Sequence, residues 1–206
     1  MKRSVKVALV LLVGLLVAGV GLVAASGGDR GDFDHGWKRW QRARSFTVEV
    51  AENGTRFTPD SDPLDADGMP LYGNEFITEG YLYPEGTLTC DSDNNCNGVN
   101  PDGSPEFPDK VIGRWICRGW HVADAATTTS GPIINTNQTF AFGENPTANI
   151  ITTEGFELAD YNLEFERAVT GGTGDFRLVR GQQVQEFLGW NASVGTVQRM
   201  TFELKR

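Results

Sequence analysis

From Ser45 onward hydrophobic and polar residues alternate. Phe46, Val48 and Val50 are separated by Thr47 and Glu49, the period-two pattern of a strand with one buried face. Similar runs follow at 76–83, 111–122, 133–142, 149–158, 162–170, 176–188 and 196–204, so that eight strands are expected in all. Turn residues separate them: Tyr83-Pro-Glu-Gly86, Gly131-Pro132, Glu144-Asn-Pro146, Gly171-Gly172 and Trp190-Asn-Ala-Ser193. No segment holds a helical period with caps. Short strands joined by turns predict an all-β domain, a barrel or a sandwich, over 45–206.

The first 44 residues read differently. Met1-Lys-Arg-Ser-Val-Lys6 is basic, residues 7–25 are uncharged and apolar, and Val23-Ala-Ala25 ends the run with small side chains before Ser26. These are the parts of a secretory signal over 1–26. The apolar run is also close to the ~20 residues that cross a bilayer, so an uncleaved N-terminal anchor is the alternative. Either reading puts the domain outside the cytoplasm, secreted or held at a membrane. Residues 27–44 form a glycine- and charge-rich linker that contains Arg30-Gly-Asp32 and Trp37-Lys-Arg-Trp40.

Composition narrows the class. The 206 residues are 39% apolar and 22% charged, enough for one compact domain with a leader. Without Lys2, Arg3 and Lys6 the 18 basic residues fall to 15 against 27 acidic ones, a formal charge of −12. Such a surface repels phosphate backbones and argues against nucleic acid as a partner.

Three cysteines favour a disulfide in an oxidising compartment. Cys90–Cys96 is the preferred pair, since both lie in one polar loop; Cys96–Cys117 is the alternative. Cys117 lies in the strand-like run Arg114-Trp-Ile-Cys-Arg-Gly-Trp120 and reads as a buried thiol. Two long loops stand out, 53–75 and 90–109. The acids of the second resemble a calcium loop, but its glycine and terminal carboxylate fall at the wrong places. His35 and His121 are too few to build a histidine metal site, and no Gly-x-Ser-x-Gly elbow is present. Gly171-Gly-Thr-Gly174 is followed by a strand rather than a helix, so it reads as a tight hairpin and not as a phosphate cradle. No metal and no cofactor are expected.

The strings Ile151-Thr-Thr-Glu-Gly-Phe-Glu157, Arg167-Ala-Val-Thr-Gly-Gly-Thr-Gly-Asp-Phe-Arg-Leu-Val-Arg-Gly181 and Phe202-Glu-Leu204 resemble the second half of the allene oxide cyclase barrel superfamily. Plant dirigent proteins carry a similar Gly-Gly-Thr-Gly-x-Phe-Arg-x-Ala-Arg-Gly string, with Val179 here in place of the alanine. The leader and the 90–109 loop lie outside the plant pattern. The resemblance implies an eight-stranded antiparallel β-barrel, a homotrimer or homodimer, and a lumen that takes a small hydrophobic or phenolic molecule.

Alternate residues of such strands face the lumen, which in an eight-stranded barrel is filled or holds one small ligand. Gly113, Trp115, Cys117 and Gly119 share one face. Arg167 shares a face with Leu163, Phe165 and Val169, and Arg180 with Phe176 and Leu178. A buried arginine needs a carboxylate, for which Asp175, Glu154 and Glu157 are candidates. Trp115, Cys117, Phe165, Arg167 and Arg180 are therefore the expected ligand-binding residues. Arg180, Asp175, Arg167 and Glu154 are the candidates for chemistry. Three functions fit: a barrel that binds its ligand unchanged, a cavity-based cyclase or isomerase working by orientation, and a surface protein whose barrel is packed shut.

Overall fold

The structure, a computed structural model, describes residues 45–59, 71–123, 133–158 and 160–205. The expected leader and linker, His35 and residues 60–70 of the first long loop lie outside the described residues. Eight long strands form one antiparallel barrel: β1 (Ser45–Glu52), β3 (Glu75–Pro84), β4 (Gly113–Ala123), β5 (Ile133–Phe142), β6 (Asn149–Leu158), β7 (Glu164–Gly172), β8 (Arg180–Trp190) and β9 (Thr196–Lys205). Their order is β1-β9-β8-β7-β6-β5-β4-β3, and β1 pairs back onto β3 from Val48↔Pro84 to Glu52↔Gly80. After a single 3-10 turn at Gly54–Arg56, the two-residue β2 (Thr58–Pro59) resumes pairing with β3. Each alternating run of the sequence becomes one strand of the barrel.

One half of the lumen is filled. Phe46 stacks on Phe202 with ring centroids 5.0 Å apart, and Phe202 meets Phe140 edge-on at 5.0 Å. Phe142 and Phe176 lie 5.2 Å apart. With Val48, Ile151, Val169, Val179 and Met200 these rings form a core that excludes water. Phe176 comes from the connection between β7 and β8, which differs from the tight hairpin expected. Gly171 and Gly172 still belong to β7, and a 3-10 turn follows at Gly174–Phe176. A two-residue turn cannot carry a side chain back into the barrel, whereas this longer connection buries both Phe176 and Val179. Gly172 is needed where it stands, because a Cβ there would lie 2.5 Å from the Phe176 carbonyl oxygen.

A second apolar layer lies on the outside of the barrel. The chain between β3 and β4 folds over β1, β3 and β9, where Leu88, Cys96 and Val99 cover Ala51, Tyr83 and Val197. Glu49, on the outer face of β1, accepts the backbone N–H groups of Gly86 (3.0 Å), Thr87 (2.9 Å) and Leu88 (2.7 Å). β1 is thus buried on both faces. The Cys90–Cys96 disulfide closes part of this loop, and Cys117 remains a free, buried thiol. The acids that resembled calcium ligands hold turns instead: Asp91 accepts the Asp93 and Asn95 N–H groups, and Asp102 those of Ser104.

β6 and β7 pair only from Ile151↔Gly172 to Glu154↔Ala168, with a register shift between Thr152 and Thr153. Beyond that point the β6–β7 backbone pairing ends, at Gly155 and Phe156. The Arg167 guanidinium takes both of their carbonyls at 3.2 Å and so fills the gap between the strands.

Candidate functional site

The other half of the lumen is hollow. A cavity of about 140 Å³ is walled by Phe57, Phe76, Trp115, Phe187 and Trp190, with Glu52, Glu157, Gln185 and Gln198 among its polar groups and His121 also on its lining. Phe57 and Trp190 are each 43% exposed, so the cavity opens to solvent. Its rim is ordered by ring contacts. Phe57 stacks on Phe76 at 5.5 Å, and Phe187 lies between Tyr161 and Trp190. The Trp190 indole donates to the Tyr161 hydroxyl at 2.7 Å.

Strand alternation sets the polar wall. β1 presents Phe46, Val48 and Val50 inward and ends with Glu52 on the same face. Glu52 is buried; Oε1 accepts the Thr78 hydroxyl (2.6 Å), and Oε2 accepts the Thr196 N–H (2.8 Å) and hydroxyl (2.7 Å). On β6, Glu157 Oε1 accepts Thr136 Oγ1, Gln138 Nε2 (2.7 Å) and Arg167 Nη1 (3.1 Å). Its Oε2 accepts Gln185 Nε2 at 3.0 Å. Gln185 also donates to Gln198 Oε1 (2.7 Å), and Gln198 donates to Thr196 Oγ1 (2.8 Å). Hydrogen bonds therefore run unbroken from Arg167 through Glu157, Gln185, Gln198 and Thr196 to Glu52. The chain fixes two carboxylates at the edge of an aromatic cavity.

One cation stands against two carboxylates. The Arg167 side chain is fully buried and pairs with Glu157, leaving Glu52 held by neutral donors alone. Charge pairing and donated hydrogen bonds are what make such buried carboxylates tolerable. Cys117 Sγ lies 3.7 Å from Glu157 Oε1. Burial, then the Glu157 charge, push its thiol well above the ordinary range, which makes it a donor rather than a nucleophile. Burial lowers the His121 pKa, partly offset by the Asn74 carbonyl 3.2 Å from Nδ1.

Of the residues singled out in the sequence, Trp115 and Cys117 line the cavity. Arg167 stands behind Glu157, and Phe165 is half-buried on the same face of β7 without lining the cavity. Glu154, Asp175 and Arg180 are exposed outside it. The inward assignment of Arg180 fails because β8 begins only at that residue. Leu178, two positions before it, has a φ of 68° and is 80% exposed, so the alternation of β8 does not reach back to Phe176. Arg180 donates to the Val179 carbonyl at 2.7 Å instead. Glu52, Gln185, Gln198, Phe187 and Trp190 were not anticipated. Glu52 continues the even-numbered face of β1, and Gln183, Gln185 and Phe187 share a face of β8, a signal visible in the alternation.

No protein-family model matches the chain, and no curated protein matches it. Solved structures do. The pterocarpan synthase dirigent protein GePTS1 superposes with a TM-score of 0.51 at 14% identity, over 78% of this chain and 85% of that one. The pterocarpan synthase dirigent protein PsPTS1 gives 0.51 at 16% identity, over 79% and 96%. The fold is that of the dirigent proteins. A pyocyanin demethylase also matches, with a TM-score of 0.49 and 14% identity over 78% of this chain and 99% of that one. The dirigent-like barrel found here agrees with the resemblance carried by residues 151–181, and at these identities the likeness concerns architecture alone.

Proposed function

We propose that the open half of the barrel binds a small, neutral, hydrophobic or phenolic molecule. The observation that carries this reading is the aromatic cavity with Glu52 and Glu157 fixed at its polar edge. Such a combination, flat apolar walls with a few convergent polar groups, is the usual make-up of a ligand site. Glu52 Oε1 and Glu157 Oε2 each accept one hydrogen bond among the described residues, which leaves capacity for a ligand hydroxyl. Two carboxylates against one arginine disfavour an anionic ligand. A barrel packed shut is the poorer reading, because only one half of the lumen is filled.

The test is a titration with 3-benzylphenol followed by tryptophan fluorescence, since Trp115 and Trp190 both line the cavity. Saturable quenching is expected, and 3-benzylbenzoate should bind at least ~10-fold more weakly because its charge meets the carboxylates. Absence of saturable binding, or an equal affinity for the anion, would overturn the proposal. Mass spectrometry of molecules that co-purify with the protein would identify the natural ligand.

The paired carboxylates also favour a second reading, a cyclase or isomerase in which a bound substrate is oriented by the walls while Glu52 or Glu157 handles a proton. Turnover separates the two. Product ratios that match the uncatalysed reaction would leave only binding.

A further inference from the structure

Four buried side-chain polar atoms lack a partner among the described residues: Trp115 Nε1, Thr153 Oγ1, Arg167 Nε and Gln183 Oε1. Trp115 alone among their residues lines the cavity. Its indole is 1% exposed, so no bulk water reaches it, and an indole N–H can only donate. A buried donor without an acceptor is costly to fold around and calls for an explanation, a group that binds there being one. Trp115 stands opposite Phe140 in register, where the packed half of the lumen begins. Gly80 lies between Trp115 and Glu52 in the strand pairing and places no side chain between them. The oxygens of Glu52, Glu157 and Gln185 accept from other donors, and none of them accepts from the indole.

Resting on the reading of the lumen as a ligand site, we infer that its ligand presents a neutral acceptor oxygen to Trp115 Nε1 and a hydroxyl to Glu52 or Glu157. The chemical class is a hydroxylated aryl ketone or a close equivalent. The ketone oxygen accepts the orphaned indole proton, for which the ligand must displace the side chains that cover Nε1 in the empty cavity. The hydroxyl donates to the carboxylates, and the flat rings lie against Phe76 and Phe187.

The experiment compares 3-hydroxybenzophenone with 3-benzylphenol, which differ only in a carbonyl against a methylene. Calorimetric titration of the full chain should show the ketone binding at least ~5-fold tighter, the worth of one net hydrogen bond. Trp115→Phe keeps an aromatic ring and removes the donor. It should abolish that preference, bringing the two affinities together whatever the change in wall area does to both. The Trp115 indole N–H resonance of the wild-type protein gives a second readout that needs no folded variant. It should move downfield with the ketone and stay in place with the methylene compound. Equal affinities, or an indole resonance that ignores the carbonyl, would overturn the inference while leaving the ligand site standing. If neither compound binds, both readings fall together.

Discussion

Replacing Arg167 with methionine removes the cation that stands behind Glu157 and keeps most of its apolar stem. The Arg167 side chain has no solvent exposure and Glu157 is 8% exposed at its side chain, so the ion pair is buried on both sides. Deleting one member of such a pair leaves the other charge uncompensated, at a cost of about 3–5 kcal/mol. Arg167→Met also removes the guanidinium hydrogen bonds to the carbonyls of Gly155 and Phe156, where β6 and β7 have parted, and to that of Thr136 on β5. In a barrel of this size that loss corresponds to a fall in Tm of roughly 10 °C. Glu157→Gln removes the stranded charge, so the double variant should be more stable than Arg167→Met alone. A double-mutant cycle should give a coupling of about 2 kcal/mol or more. Urea unfolding followed by circular dichroism measures all four proteins. A cost below about 1 kcal/mol for Arg167→Met, or simple additivity in the double variant, would refute the view that this pair closes the gap between β6 and β7.

Other outcomes follow from single sites. Cys90→Ser with Cys96→Ser opens a short cross-link of sequence separation 6, and should cost about 2 kcal/mol in unfolding experiments that dithiothreitol then no longer affects. His121 has a pKa below 6.5 in the fold, so the unfolded chain binds more protons just below that pH. Stability should therefore hold above pH 6.5 and fall on acidification below it, and His121→Gln should flatten that part of the profile in urea titrations. The triplets Asn53-Gly-Thr55 and Asn191-Ala-Ser193 look like glycosylation sites, yet both asparagines are buried and bonded to backbone within the fold. Peptide mapping of protein secreted from a glycosylating host should find neither modified, whatever happens at the third triplet, Asn137-Gln-Thr139. Asn191→Ala should cost about 1–3 kcal/mol, because it leaves the Glu52 carbonyl and the Gly195 N–H without their partner.

Alternation of side chains is a local property, and it made the eight strands and the inward face of β4, with Trp115 and Cys117, legible in the sequence. The same rule pointed to Arg167 and named Glu157 among its candidate partners, because an arginine on an apolar face must be matched. Alternation failed at Arg180, where a 3-10 turn and the positive φ of Leu178 reset the phase before β8 begins. Nor does it say how far a lumen is filled. That depended on Phe176 folding back from a loop to join Phe46, Phe142 and Phe202, and on the opposite end receiving no such plug. Strand register alone brought Glu52 from the end of β1 into one hydrogen-bonded chain with Glu157 of β6, 105 positions away by their numbers in the sequence. Packing of the 85–112 segment against the outside of β1 likewise decided that Glu49 is a buried anchor rather than a solvated carboxylate. The sequence by itself determined the strands and, within each unbroken strand, which residues share a face, since both follow from a two-residue period. Only the tertiary structure decided which inward residues surround empty space, because that depends on volumes contributed by segments far apart in the chain.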